Sequence, residues 1–208
     1  MITSRISRLI FISLISFFTF GCAHKATVST VRATNIYSDS EKKVAGKHAY
    51  IVDRTSLTKL KKDDTVQGLQ CSAHNFPIDG TDAFLNSLPS MLEEVFEEVN
   101  KANEGEIKAD TTQLVFRIER FEPRLKFNSK FFGIDAEATV ELGVSVVGTK
   151  DGKRVFGTTV DTQRSKSGDG GQMCGGGAEV IADATRDAIK DVLEKMGERM
   201  ANSQALRK

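Results

Sequence analysis

The chain has 208 residues, 39% hydrophobic and 27% charged, with 29 Lys and Arg facing 28 Asp and Glu and only three His. That balance excludes the strongly basic surface on which nucleic-acid binding depends, and the length suits one domain plus a tether, large enough to bury a core without a structural metal. No G-x-S-x-G or H-E-x-x-H spacing occurs, so the residues offer no hydrolytic constellation and call for no cofactor.

Arg5 and Arg8 precede an apolar run from Leu9 to Phe20, broken only by Ser13, Ser16 and Thr19. A membrane-spanning helix needs about 20 apolar residues, so this shorter run reads as an export signal over 1–21. The segment Thr19, Phe20, Gly21, Cys22 resembles the lipobox of bacterial lipoproteins, in which a small residue precedes the cysteine that is cut free and acylated. The resemblance implies lipidation at Cys22 and attachment to the membrane through that lipid. Ala23, where an inner-membrane retention signal would be Asp, implies an outer-membrane protein facing the periplasm. Thr19 and Phe20 depart from the usual Leu and small residue of the motif, so a secreted, non-lipidated chain is the alternative.

The mature chain would hold 187 residues with 27 basic and 28 acidic side chains. Cys71 and Cys174 then form an even pair in an oxidising compartment and are expected to be disulfide-bonded. Two other readings use the same residues: Cys71 and His74 form a C-x-x-H that could supply two zinc ligands, and either thiol could react beside His48 or His74.

His24 to Lys47 is polar, without a sustained period, and reads as a solvated tether (22–46) ahead of a domain over 47–202. A short strand is expected over His48–Asp53, an exposed loop over Thr58–Asp64 and a second strand over Thr65–Ser72. Leu85, Leu88, Leu92, Val95, Phe96 and Val99 recur at helical spacing and predict an amphipathic helix from Thr81 to Lys101. Pro89, followed by the Ser90 and Glu93 capping box, marks a kink or restart. Its other side, with Glu93, Glu94, Glu97, Glu98 and Lys101, reads as a solvated face, with an acidic docking surface as the alternative.

Leu114, Phe116 and Ile118 alternate as a strand, after which Phe121, Leu125 and Phe127 change parity, so a bulge is expected between Glu119 and Pro123. Ile134 to Val146 alternates most regularly, Asp151 and Gly152 supply a tight turn, and Arg154–Thr162 returns as the partner strand. Gly168, Gly170, Gly171, Gly175, Gly176 and Gly177 surround Cys174. They read as a connection that lets Cys174 reach Cys71, with an anion site at the following helix N-terminus as the competing reading. A last helix is expected over Ala178–Ala201, with Ile181, Thr185, Ala188, Ile189, Val192, Met196 and Met200 as its buried stripe, then a tail over 203–208. Arg117, Arg120, Arg124, Lys126, Lys130, Phe131 and Phe132 form a basic and aromatic stretch that could meet lipid headgroups or an acidic partner. Phenylalanines at strand spacing also suit a core.

Two strands, a helix, three strands and a helix predict an α+β fold: a mainly antiparallel sheet with two amphipathic helices on one face. Over Lys47 to Asn202 this order resembles the small YajG-like envelope lipoproteins of Gram-negative bacteria. That resemblance implies a non-enzymatic binding or assembly module with an envelope protein as partner, and transfers no functional residue beyond Cys22. The alternative is a periplasmic small-ligand carrier or enzyme using the glycine-rich loop around Cys174.

Overall fold

The structure, a computed structural model, describes residues 22–63, 65–103 and 110–207; the export signal expected over 1–21 lies outside them. In chain order the elements are β1 (Ala26–Thr27), β2 (Val44–Val52), α1 (Arg54–Leu57), a 3-10 turn (Thr58–Leu60), β3 (Lys61–Lys62), β4 (Val66–Gln67), β5 (Ile78–Asp79), α2 (Thr81–Val95), β6 (Phe96–Lys101), β7 (Thr112–Ser129), β8 (Ile134–Lys150), β9 (Lys153–Asp169), a 3-10 turn (Gln172–Cys174) and α3 (Gly177–Ala201). The main sheet has the order β6-β2-β7-β8-β9, with β4 added to β7, and a small sheet has the order β1-β5-β3. The fold is α+β, and the long β7, β8 and β9 are antiparallel.

Alternation dictates the inward face. Phe116 pairs with Val146 and Ile118 with Val144; the register then shifts between Ile118 and Arg120, and Phe121 pairs with Leu142 and Leu125 with Ala138. The expected bulge therefore falls at Glu119. One extra residue returns Phe121, Leu125 and Phe127 to the core side, and all three are buried. The turn between β8 and β9 has Asp151 at φ 50° and Gly152 at φ 73°, the positive pair a two-residue hairpin with right-handed twist requires.

Helices α2 and α3 pack on each other, and α3 lies along β8 and β9. Every residue of the expected α3 stripe is buried, and the Thr185 hydroxyl is satisfied by donating to the Ile181 carbonyl at 2.8 Å.

Four expectations are corrected by tertiary structure. First, the Thr81–Lys101 helix stops at Val95. Residues 96–101 instead form β6, parallel to β2, because the Phe96 ring packs on His48 (centroids 4.1 Å apart) and the β2 edge offers unpaired backbone groups. Glu93 and Glu94 thus lie on a helix but Glu97 and Glu98 on a strand, so no single acidic helix face exists. Pro89 stays inside α2, whose buried side runs through Phe84, Leu88, Met91 and Leu92. Second, only Val66–Gln67 of the expected Thr65–Ser72 strand is extended, and Leu60 in the expected exposed loop is fully buried.

Third, the segment read as a solvated tether lies against the domain, with Ala26, Ala33 and Val44 buried. The amides of Asn35, Tyr37 and Asp39 donate in turn to the side chains of Glu194 and Glu198 on α3 and of Asn202, which caps its C-terminus. Two residues of extended chain advance about 6.6 Å and four of helix about 6 Å, so the two periods nearly match. Composition reveals no such match, because it depends on a distant partner. Fourth, the tail folds back: Leu206 is buried, and the Arg207 guanidinium donates to the carbonyls of Ala201 and Lys42.

His48 is 3% exposed, and burial holds its imidazole below the ordinary value of 6.5, against the opposing pull of the Gly46 and Glu98 backbone. A base whose folded pKa is depressed leaves stability intact above 6.5; stability is lost as pH falls below 6.5 and the unfolded chain takes up the proton first. The carboxyls held low, such as Asp53 and Asp191, titrate below 3.8, outside that window. Urea unfolding at about pH 7.5 and about pH 5.5 should show lower stability at the acidic value, and His48→Gln should flatten that dependence.

Candidate functional site

Cys71 and Cys174 form a disulfide with their Cα atoms 6.1 Å apart. The Cys71 thiol is thereby unavailable as a metal ligand or nucleophile. The three histidines have other surroundings: His48 lies in the core, and His74 meets His24, Nε2 of His24 to Nδ1 of His74 at 2.9 Å.

The glycine-rich loop turns its amides inward. Gly170 donates to the Ile134 carbonyl at 2.7 Å, Gly171 to the Asp169 carboxylate at 2.8 Å, Gly175 to the Gln172 carbonyl at 3.1 Å and Gly176 to the Gly170 carbonyl at 2.9 Å. The missing side chains permit this fold: a Cβ on Gly176 would collide with the Asp169 carbonyl oxygen, and one on Gly177 would stand 2.5 Å from the Phe127 ring. These glycines let the loop close on itself and α3 start against β7.

The candidate basic and aromatic stretch divides into two places. Arg117, Arg120 and Arg124 project from β7 on the sheet face opposite the helices, and each meets acids. Arg117 Nε donates to Asp53 Oδ2 at 2.9 Å, while Asp53 Oδ1 accepts from the amides of Thr55 and Ser56 and caps α1. The Arg117 bond, followed by those amides, holds the Asp53 carboxyl below its usual range. Arg120 bridges Glu141 and Asp161, each at 3.2 Å, and Arg124 reaches Glu141 at 3.1 Å and Glu122 at 2.6 Å. Glu141 is thus shared by two arginines. Exposed pairs contribute about 0–1 kcal/mol each, so the main effect of this lattice is to order a polar surface and cancel its basic charge. Period-two spacing placed the arginines on one face, but only the register of β8 and β9 brings Glu141 and Asp161 beside them.

The second place is one end of the sheet. Phe121 and Phe127 belong to the core, whereas Phe131 and Phe132, at the tip between β7 and β8, are 94% and 88% exposed. Their rings pack edge to face, centroids 4.7 Å apart. Lys130 pairs with Asp135, and Lys126 is exposed. Leu69 and Met173, which sequence reasoning passed over, are 94% and 71% exposed. The only signal in their favour was an apolar residue in a polar, turn-rich stretch. Cys22 is exposed as well; its carbonyl accepts from the Asn75 amide at 3.0 Å.

No family model matches the chain, and no curated protein sequence matches it. Among solved structures, the chain is similar to a Xanthomonas campestris protein of the DUF330 family model, at 14% identity over 86% of this chain and 94% of that one, with a TM-score of 0.47. It is also similar to a minor lipoprotein of Acinetobacter baumannii, at 14% identity over 77% of this chain and 93% of that one, with a TM-score of 0.43.

The disulfide closes a loop with a sequence separation of 103 residues. Replacing both cysteines, Cys71→Ser with Cys174→Ser, should lower unfolding free energy by about 2–4 kcal/mol, as measured by urea denaturation. Gly176→Ala should cost about 1–3 kcal/mol in the same assay, because the added methyl meets a backbone carbonyl rather than a side chain that can turn away.

Proposed function

We propose that the protein is a lipoprotein anchored at Cys22, at the outer membrane and facing the periplasm, and that it acts as a non-catalytic binding or assembly module of an envelope protein complex. The observation that carries this reading is a sheet face that no helix covers among the described residues: α3 lies along one side of β7, β8 and β9 with α2 packed on it, while the other side presents an ordered lattice centred on Arg120, Arg124 and Glu141. A partner would meet side chains already held in place, which reduces the ordering entropy of association. The exposed Cys22 at the edge of the folded domain suits attachment by acyl chains. An envelope protein with complementary charge is the partner this face would recognise, because exchanging paired charges across an interface favours matched patterns over high affinity.

The test is site-specific photo-crosslinking of the full chain in bacterial envelopes, with the crosslinker at Lys126 or Thr159 on the open face and at Lys190 on α3 as the comparison. A discrete adduct from the open face, absent from Lys190 and weakened several-fold by Arg124→Glu, is the expected outcome. Identical adduct patterns from all three positions would reject the open face as the docking surface. Intact mass measurement of the membrane form should show a chain beginning at Cys22 with added acyl mass.

A further inference from the structure

We infer that the end of the domain carrying Leu69, Phe131, Phe132 and Met173 rests on the lipid bilayer and inserts these side chains into its interfacial layer. The inference rests on the anchoring at Cys22 proposed above and adds an orientation to it.

Three observations carry it. The first is that three loops form one end. The Gln70 side chain donates to Ser129 Oγ at 2.6 Å, which ties Leu69 to the base of the β7 to β8 tip. The Cys71 to Cys174 disulfide ties the same loop to Met173, and the Gly170 amide, bonded to the Ile134 carbonyl, ties the third loop back to that tip. Four large apolar side chains, each at least 71% exposed, therefore share one end of the molecule. Apolar residues clustered this way mark an interaction site, whereas single exposed ones need no explanation.

The second observation is that Cys22 emerges at this end. The Cys22 carbonyl and the His24 amide bond with Asn75, and the His24 ring stacks on Phe76, which in turn packs against Phe127 two residues before the end of β7. The third is the lack of slack. Because 24–46 is laid along the domain and does not run free as a spacer, acyl chains on Cys22 would hold this end against the membrane surface.

Charge decides the mode of contact. Lys130 is paired with Asp135, and Asp169 closes the third loop by accepting from Gly171. With Lys130 and Lys166 ion-paired and Lys126 set across from Glu137 on β8, acids match cations at this end, which suits aromatic and aliphatic insertion more than attraction by acidic headgroups, so the contact should depend little on salt.

The chain contains no Trp, so Phe132→Trp gives a single fluorescent reporter at an exposed position where the fold is not disturbed. The full chain, isolated from membranes with its native N-terminus, is reconstituted into phosphatidylcholine vesicles with and without bromine on the acyl chains. Lys153→Trp, at the opposite end of the sheet, serves as the comparison. The expected result is a blue-shifted emission from the F132W protein, quenched several-fold more by brominated lipid than that of the K153W protein and unchanged by added salt. If the protein floats with the vesicles but both reporters are quenched alike, the seated orientation is overturned while the anchor stands. If the protein does not float at all, the anchor fails and the orientation fails with it. Quenching that vanishes in salt would overturn apolar insertion in favour of headgroup attraction.

Discussion

The burial of the α3 stripe against the inward side chains of β7, β8 and β9 sets where every other part of the molecule can lie. Ile181, Ile189, Val192 and Met196 meet a surface made by Val140, Leu142 and Val144 and their neighbours on β7, and these residues are essentially inaccessible to solvent. A buried aliphatic side chain contributes roughly 1.5–3 kcal/mol relative to its exposed state, so this interface outweighs any set of surface ion pairs. The polar edge of α3 then extends the contact. Asp191 meets Thr162, Arg164 and Lys195; burial alone would raise its carboxyl, but the three bonds together outweigh that and hold it low. Arg199 donates to the Thr158 hydroxyl and the Thr159 carbonyl, covering part of the otherwise open β9 edge.

Once α3 is seated, its two ends define two different surroundings. Along its length it offers Glu194, Glu198 and Asn202 as a rail for the extended N-terminal segment, and Ile36 nests over Gly197 where a side chain would collide. At its start, the glycine-rich loop folds tightly enough for Cys174 to meet Cys71. That covalent tie draws the irregular 68–75 region, which has little core of its own, to the same end as the β7 to β8 tip. The polarity of the molecule follows: a charged, ordered flat face on one side, and an apolar, loop-built end beside Cys22.

Several features were legible in the sequence because they depend on neighbours a few residues away. The parity change between Ile118 and Phe121 required the Glu119 bulge, Asp151 with Gly152 required a tight turn, and the helical spacing from Ile181 to Met200 required a buried stripe. The pairing of Cys71 with Cys174 was suggested by an even count once export to an oxidising compartment was expected. The helix expected through Lys101 shows the limit of local reasoning. Its glutamates and periodic apolar residues suit a helix, yet residues 96–101 complete the edge of β2, and backbone pairing with a distant strand outweighs a weak local preference.

By itself, then, the sequence determined the α+β class, the three long strands, the final helix and the position of Cys22 after an apolar run, since each is written in spacing along the chain. Only the tertiary structure decided that the apparent tether is part of the folded body, that the arginines of β7 are neutralised by Glu141 and Asp161, and that Leu69, Phe131, Phe132 and Met173 share an end with Cys22. The reason is physical: those facts are set by strand register, helix seating and a disulfide across 103 residues of sequence, and contacts between distant segments leave no periodic trace in either segment alone.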